Sequence, residues 1–184
     1  IISVDNLSGG FLEDIPIESK IYIRDISSDL TDIFEEYDVK IIYHMSAIAA
    51  EALSPFMRKH YYSNNIIASA NVINFAIKYN VDRLIFFSSM AVYGHNNAPF
   101  IETQTPIPQD PYGAAKLCIE HDLQCAKEMH GLKWTIVRPH SVYGPGQIIE
   151  DRYRNVFGIF MRQLLNNEPI LIYGDGLQRR AFTF

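Results

Sequence analysis

The sequence predicts an α/β fold, namely a doubly wound parallel sheet followed by the start of a smaller domain. Short apolar runs of strand type alternate with segments whose apolar residues recur at helical spacing. This alternation is typical of a parallel sheet with helices on both faces. After Pro139 the alternation gives way to a loop at 144–146. We therefore place a sheet domain over residues 1–139 and the beginning of a second domain over residues 140–184.

The predicted elements follow one another in a regular order. Apolar runs predict strands over 1–4, 20–24, 40–45, 82–88, 134–138 and 170–173. Helical spacing predicts helices over 28–37, 55–79, 111–129 and 156–165. Ser27 or Ser28 is expected to cap the first of these helices, because a hydroxyl can accept a bond from a free backbone N–H. Gly131 is expected to end the third.

Composition excludes several classes of function. The 184 residues carry a net charge of -5 and contain no basic run that could follow nucleic-acid phosphates. No apolar stretch reaches the roughly 18 residues that indicate a membrane span, and the first residues lack the charged leader of a signal peptide. The spacing of Cys118 and Cys125 relative to the histidines matches no zinc site. We expect a cytoplasmic protein without a metal, a membrane segment or a nucleic-acid partner.

Ser89, Tyr112 and Lys116 form the strongest chemical pattern in the chain. Tyr112 and Lys116 are four residues apart in a predicted helix, which places their side chains on the same side. A phenol titrates near ~10 and is a poor base at neutral pH, but a nearby ammonium favours the phenolate. Ser89, at the end of a predicted strand, can share the proton. The set suits proton removal from an alcohol while a hydride passes to a nicotinamide.

The context of this set favours a catalytic role over chance. A Tyr-x-x-x-Lys pair alone is common. Here, however, an apolar run over 84–87 ends in two serines, and Tyr112 stands at the start of a helix after a loop. Ligands of open α/β sheets bind beyond the carboxyl ends of the strands, where Ser89 is expected. Glu120, one helical turn after Lys116, fits a partner on the helix face better than an acid catalyst.

The glycine-rich turn of a dinucleotide-binding fold is absent from the sequence. Such a turn follows the first strand and lets the backbone approach a pyrophosphate. The glycines at 9–10 have neither that spacing nor a following helix. Asp5 ends a strand, where an acidic side chain can bind the adenosine ribose of NAD. The chain is therefore expected to begin at the second strand, with the first βα unit absent. Alternatively, Asp5 merely starts a turn.

The chain resembles the extended short-chain dehydrogenase/reductase family along nearly its whole length, in particular the nucleotide-sugar epimerases and dehydratases. Residues 4–8 resemble the segment with the family's ribose-binding Asp, and residues 24–26 the segment beside the adenine. Residues 44–47, His-Met-Ser-Ala here, are similar to the family's His-Leu-Ala-Ala stretch, and 65–74 follow its Asn-x-x-Gly-Thr-x-Asn helix with Ala68 and Ser69 in place of Gly and Thr. Residues 138–145 and 173–180 resemble segments near the substrate. The resemblance implies a Rossmann-like fold, NAD as cofactor, a UDP-sugar substrate, and a homodimer formed through helices 55–79 and 111–129.

The resemblance also implies a role for individual residues. Tyr112 would be the base, Ser89 would orient the reacting hydroxyl, and Lys116 would lower the pKa of Tyr112 and bind the nicotinamide ribose. The residues implied in NAD binding are Asp5, Asn6, Asp25, Ile26, Met45, Ser46, Ala47, Asn65, Ser88, Tyr112, Lys116 and Pro139. Those implied in sugar-nucleotide binding are Ser89, Met90, Ser141 and Arg180, whose guanidinium would pair with the diphosphate. Ser141 replaces the usual Asn, and Arg179 and Ala181 replace the usual Thr and Asp.

The residues after Ser89 indicate which reaction is expected. Dehydratases of the family carry an acidic pair there, whereas this chain has Met90 and Ala91, which cannot transfer a proton. Epimerisation at C4 needs no further acid, so an NAD-dependent UDP-glucose/UDP-galactose 4-epimerase is the favoured interpretation. The alternatives are a UDP-glucuronate 4-epimerase or a related decarboxylase or dehydratase, and a truncated binding module without catalytic activity.

Overall fold

Five short parallel strands form two sheets in the computed structural model, which describes residues 1–151, 153 and 155–184. One sheet pairs β1 (Ile2–Asp5) with β2 (Lys20–Ile23). The other has the order β3 (Ile41–His44), β4 (Arg83–Phe87), β5 (Trp134–Val137). Within each sheet the strands run parallel, as βα crossovers require. The carboxyl ends of β3, β4 and β5 therefore share one edge, where the candidate site lies.

The break between the two sheets lies at a defined position in the strand order of a doubly wound sheet. A doubly wound sheet usually has the strand order 3-2-1-4-5-6. The observed orders, β2-β1 and β3-β4-β5, correspond to positions 3-2 and 4-5-6 of that sheet. Position 1 thus coincides with the break between the two sheets. The predicted α/β fold class is confirmed.

The helices lie between and beside these strands. They are α1 (Thr31–Glu36), α2 (Arg58–Tyr61), α3 (Ala68–Lys78), α4 (Pro111–His130) and α5 (Val156–Leu165). A π-helical segment, Tyr62–Ile67, joins α2 to α3, so helical structure runs without interruption from 58 to 78. The short 3-10 turns are Leu12–Asp14, Glu51–Phe56 and Met90–Val92. The predicted helix over 55–79 is therefore confirmed in its main part.

Helix α4 carries two of the three predicted catalytic residues, and its sequence defines both ends. The Asp110 side chain accepts a hydrogen bond from the Gly113 N–H at 2.9 Å, and Pro111 occupies the first turn. At the other end Gly131 adopts a left-handed conformation with φ 73°, which glycine reaches without strain. Tyr112 is thereby held in the first turn of the helix.

The main core fills the space between the three-stranded sheet and helices α3 and α4. Leu84 and Phe86 from β4 pack with Ala76 of α3 and with Leu123 of α4, and all four are buried. A second cluster, formed by Leu30, Ile33 and Phe75, packs against β1 and β2. Because α3 contributes to both clusters, it ties the two sheets together.

Two local predictions were wrong. The first helix begins at Thr31 rather than at residue 28, and its N-cap, Leu30, makes no side-chain capping bond. Asp29 instead accepts a bond from the Thr31 N–H at 3.0 Å. The apolar run 170–173 is not a strand. It is exposed and pairs with no strand in the described part of the chain, and an apolar run needs such a partner to become one.

Residues beyond 140 contribute α5 and a group of aromatic side chains. Tyr143 lies 4.7 Å from Phe157 between ring centroids, and Phe182 lies 4.6 Å from Phe157. A single bridge pairs Val142 with Thr183. The boundary near residue 140 stays a prediction. Among the described residues, no helix has both the length and the apolar character needed to cross a membrane.

Candidate active site

The structure brings Ser89, Tyr112 and Lys116 together at the carboxyl end of β4. Their exposed fractions are 9%, 7% and 2%. The Ser89 side chain acts to lower the pKa of Tyr112, and the Lys116 ammonium lies 5.8 Å from the centroid of the Tyr112 ring. The juxtaposition inferred from the sequence is therefore present, and the catalytic role of these residues stays a prediction.

Tight packing between the end of β4 and the start of α4 sets this geometry. Ser89 is in extended conformation, and its Oγ accepts a hydrogen bond from the Ala91 N–H at 3.1 Å. The backbone then turns, and the Ala91 carbonyl lies directly against Gly113. A Cβ added at Gly113 would stand 2.7 Å from that oxygen, which is closer than real Cβ contacts. The absence of a side chain at 113 allows Tyr112 to approach Ser89.

Lys116 is buried with one backbone partner. Its Nζ donates a hydrogen bond to the Phe87 carbonyl at 2.7 Å and lies 4.9 Å from the centroid of the Phe86 ring. Burial lowers the pKa of Lys116 to about 8, because it disfavours the charged form, and the nearby Glu120 carboxylate opposes this shift.

The pKa of the Tyr112 phenol is raised, whereas the sequence predicted that Lys116 would lower it. Burial raises its pKa to about 12, and the charges of Glu51 and Asp110 act in the same direction, whereas the bond from Ser89 lowers it. The prediction that Lys116 sets a low Tyr112 pKa is thus not met by these residues alone. Loss of solvation outweighs the favourable contacts, so Tyr112 is protonated at neutral pH in this arrangement.

Asp5, Asn6 and Asp25 lie together at the ends of β1 and β2. Asp5 accepts a bond from the Leu7 N–H at 2.7 Å, so it does start a turn. Asn6 donates to Asp25 at 3.0 Å. Hydrogen bonds from Ser27 and from Asn6 hold the pKa of Asp25 below its usual range, so this carboxylate is charged at neutral pH. The group offers acidic acceptors at the edge where a ribose is expected, which fits an adenosine.

The Asn65 side chain hydrogen-bonds the backbone of the loop that follows β3. Its amide accepts a bond from the Ile48 N–H at 2.9 Å and donates to the Ile48 carbonyl at 3.1 Å. Because the side chain is fully buried and both of its polar atoms are engaged, it holds the loop 45–50 instead of facing a ligand. Met45, Ser46 and Ala47 belong to this loop and follow β3 at the same edge of the sheet.

The other predicted cofactor residues have structural contacts. The Ser88 hydroxyl donates to Glu120 at 2.5 Å and faces the interior. Ile26 packs partly buried against the main core. The Pro139 carbonyl accepts a bond from the Met90 N–H at 3.2 Å and joins β5 to the turn that follows Ser89.

Of the predicted substrate residues, Arg180 interacts electrostatically with Glu51. It is exposed, and its positive charge acts on Glu51. Burial and the neighbouring Asp110 raise the pKa of Glu51 to about 7, and Arg180 opposes this. Arg180 thus lies on the same side as the start of α4. Met90 and Ser141 are half-buried beside that end of the sheet.

The sequence did not reveal that two polar residues beside Lys116 are buried. The His44 Nε2 lies 2.7 Å from the Ser69 Oγ, and burial together with the charge of Lys116 lowers the pKa of His44 to about 3. Glu120, expected as a partner on the helix face, is buried and contacts Arg138. His44 carried one usable signal, because it is a polar residue at the end of an apolar run.

Comparison with known proteins identifies the family. Residues 2–184 match the model of the NAD dependent epimerase/dehydratase family. The chain belongs to this family. The match runs through both sheets and through the segment that carries Ser89, Tyr112 and Lys116.

Individual relatives agree with this assignment. The structure superposes with a TM-score of 0.92 on a UDP-glucose 4-epimerase from Thermotoga maritima, determined with UDP-glucose, at 34% identity over 98% of this chain and 60% of that one. A UDP-glucose 4-epimerase from Halalkalibacterium halodurans is 29% identical over 97% of this chain and 56% of its own length. A UDP-glucuronate 4-epimerase from Thermodesulfobacterium geofontis is 28% identical over all of this chain and 60% of its own length. The chain thus spans about three fifths of these relatives.

Proposed function

We propose that this protein is an NAD-dependent nucleotide-sugar 4-epimerase, with UDP-glucose and UDP-galactose as the favoured substrate pair. One observation carries the proposal. Ser89, Tyr112 and Lys116 meet at the carboxyl end of β4, and the residues after Ser89 are Met90 and Ala91. The site therefore holds a base and its supporting groups but lacks the acids that dehydration of a sugar needs at this position.

The proposed reaction exchanges one proton and one hydride. Tyr112 accepts the proton of the C4 hydroxyl while Ser89 holds that oxygen, and the C4–H bond breaks as the carbonyl forms. NAD, when bound, accepts the C4 hydride and returns it, so the cofactor is restored in each cycle. The keto-sugar turns between the two transfers, the hydride adds to its opposite face, and Tyr112 returns the proton to the C4 oxygen.

The described residues fit NAD at several points. Asp5 and Asp25, whose carboxylates accept bonds from Leu7 and Asn6 at the ends of β1 and β2, would bind the adenosine ribose and the adenine. A carboxylate accepts bonds from a ribose 2′-hydroxyl and repels a 2′-phosphate, so NAD is favoured over NADP. Lys116 would hold the nicotinamide ribose through the Nζ that now donates to Phe87.

Arg180 is proposed to hold the substrate diphosphate. Its planar guanidinium suits phosphate oxygens, and its charge already acts on Glu51 beside the start of α4. Ser141, which stands in place of an Asn, would contact the sugar with a shorter side chain. UDP-glucuronate is the alternative substrate, which the similarity to a UDP-glucuronate 4-epimerase favours.

Mass spectrometry of the small molecules released on denaturing the purified protein tests the cofactor and substrate class. Recovery of NAD together with a UDP-hexose supports the proposal, whereas recovery of a UDP-hexuronic acid favours the alternative substrate. Protein free of both nucleotides supports a binding module without catalytic activity. Incubation with NAD and UDP-glucose, followed by detection of UDP-galactose, then tests turnover, and Tyr112→Phe is the control that should form none.

We also propose a cytoplasmic homodimer. Helix α3 and the helical segment before it, together with α4, would form the interface, and large apolar side chains such as Ile67 and Met129 are exposed there. Light scattering behind a sizing column tests this state. A mass of twice 21.1 kDa supports it, and a single-chain mass contradicts it.

A further inference from the structure

A buried ion-pair network links α4 to the ends of two strands. The Glu120 carboxylate, 7% exposed as a residue, accepts a bond from the Ser88 hydroxyl at 2.5 Å. It also accepts two bonds from Arg138, at 3.0 Å from Nε and at 2.6 Å from Nη2. The Arg138 guanidinium in turn lies 4.9 Å from the centroid of the Tyr93 ring. We call Ser88, Glu120 and Arg138 the Glu120 network.

The Glu120 network adjoins the proposed catalytic residues at two points, through Ser88 and through Glu120 itself. Ser88 directly precedes Ser89, and successive side chains of an extended segment point to opposite faces. The bond from Ser88 to Glu120 therefore holds the end of β4, from which Ser89 follows, against α4. Glu120 also lies one helical turn after Lys116, the spacing at which side chains on a helix interact.

We infer that Glu120 is a positioning residue: it balances the buried Lys116 ammonium with a negative charge and, through Ser88, holds the backbone that carries Ser89. The inference rests on the proposed function only for the catalytic role of Lys116. The contacts of Glu120 with Ser88 and Arg138 do not depend on that function. A bidentate Arg–carboxylate pair is among the strongest contacts available to buried charges. Its loss would leave Lys116 and Arg138 as two partly or fully buried cations without that anion.

The groups that face Lys116 make the expected effect specific. Tyr112 and Glu120 face it from α4, His44 faces it from β3, and β4 presents the Phe86 ring and the Phe87 carbonyl. His44 is neutral at pH 7, since its pKa is about 3, and Tyr112 is neutral as well. Glu120 is thus the anion acting on Lys116 within this described set.

The decisive experiment titrates Lys116 by NMR in protein labelled with 13C at lysine Cε. Lys116→Met identifies its signal. Glu120→Gln keeps the shape of the side chain but removes the charge, and it is expected to lower the Lys116 pKa by about one unit, or tenfold in proton affinity. The matched control is Glu128→Gln, an exposed carboxylate on the same helix, which should leave the titration unchanged. An unchanged Lys116 pKa in Glu120→Gln overturns the inference.

A second variant keeps the test decisive if Glu120→Gln does not fold. Arg138→Met removes the other half of the ion pair and leaves the Glu120 charge beside Lys116. The Lys116 pKa should then stay at or above its original value, and a fall would show that packing, not the Glu120 charge, governs Lys116. Because these titrations need neither NAD nor substrate, they can fail while epimerisation is observed, and they can succeed when it is not.

Discussion

Gly113→Ala is the sharpest test of how the site is built. The new Cβ would stand 2.7 Å from the Ala91 carbonyl oxygen and 3.1 Å from the Pro108 Cβ. Ordinary contacts begin at 3.4 Å, so the start of α4 would have to retreat from the end of β4 by about 0.7 Å. Asp110 and Pro111 anchor that turn, which limits any such retreat.

Two effects of opposite sign determine the result of this substitution. Alanine is the better helix former by roughly 1 kcal/mol. Overpacking a site that cannot relax costs about 1–3 kcal/mol. Since the contact is with backbone on one side and with a proline ring on the other, we expect the second effect to prevail, with a net loss of about 1 kcal/mol in the free energy of unfolding. Displacing Tyr112 from Ser89 by this distance should also slow epimerisation by at least about tenfold.

Urea unfolding measures the first effect, and the rate of UDP-galactose formation measures the second. Gly10→Ala is the matched control, because nothing lies within 4 Å of its added Cβ. The control should change neither quantity appreciably. If Gly113→Ala proved as stable as the original protein or more so, the argument that close backbone contact at residue 113 positions Tyr112 would be refuted.

Three further predictions follow from the buried polar residues. Tyr112→Phe should lower the epimerisation rate by at least about 100-fold, as loss of a general base does, while unfolding in urea changes little. Because His44 has a pKa of about 3, the native state loses about 1.4 kcal/mol of stability per pH unit as the pH falls from 6.5 toward 3. His44→Asn should remove this part of the acid dependence. Substitution of the exposed His121 by Asn should leave it in place. Because the pKa of Lys116 is lowered from 10.5 to about 8, raising the pH across that range should remove the free-energy cost of burying its charge. Lys116→Met should therefore be more stable than the original protein by on the order of 3 kcal/mol at pH 7, and this difference should vanish near pH 10.5. A pH-independent difference would contradict this origin.

Local signals in the sequence were sufficient where one residue type has one structural consequence. Pro111 and Gly131 define both ends of α4 because proline suits a first helical turn and glycine reaches the left-handed conformation easily. The same reasoning placed Tyr112 and Lys116 on one side of that helix. It failed for the cap of α1, where several hydrogen-bonding residues compete and Asp29, not a serine, bonds the first turn.

Long-range packing explains what the sequence could not reveal. The run 170–173 is apolar enough for a strand, but pairing depends on a partner elsewhere in the chain. The spacing of Glu120 indicates a partner of Lys116 on the helix face but not that it is buried. Its burial depends on Ser88 and Arg138, which are 32 and 18 residues away in sequence. Likewise, the role of Asn65 becomes visible only once the loop at Ile48 folds against it.

The electrostatics of the site indicate when its base can act. Burial moves the two central pKa values in opposite directions, Tyr112 up to about 12 and Lys116 down to about 8, and in each case it favours the neutral form. Forming the phenolate at pH 7 therefore opposes a gap of about five units, or roughly 7 kcal/mol. Lys116 alone does not close this gap, although Glu120 keeps it charged. For Tyr112 to act as the proposed base, a further positive charge would have to arrive beside the phenol, so the proposal predicts proton removal in the loaded site and none in the empty one.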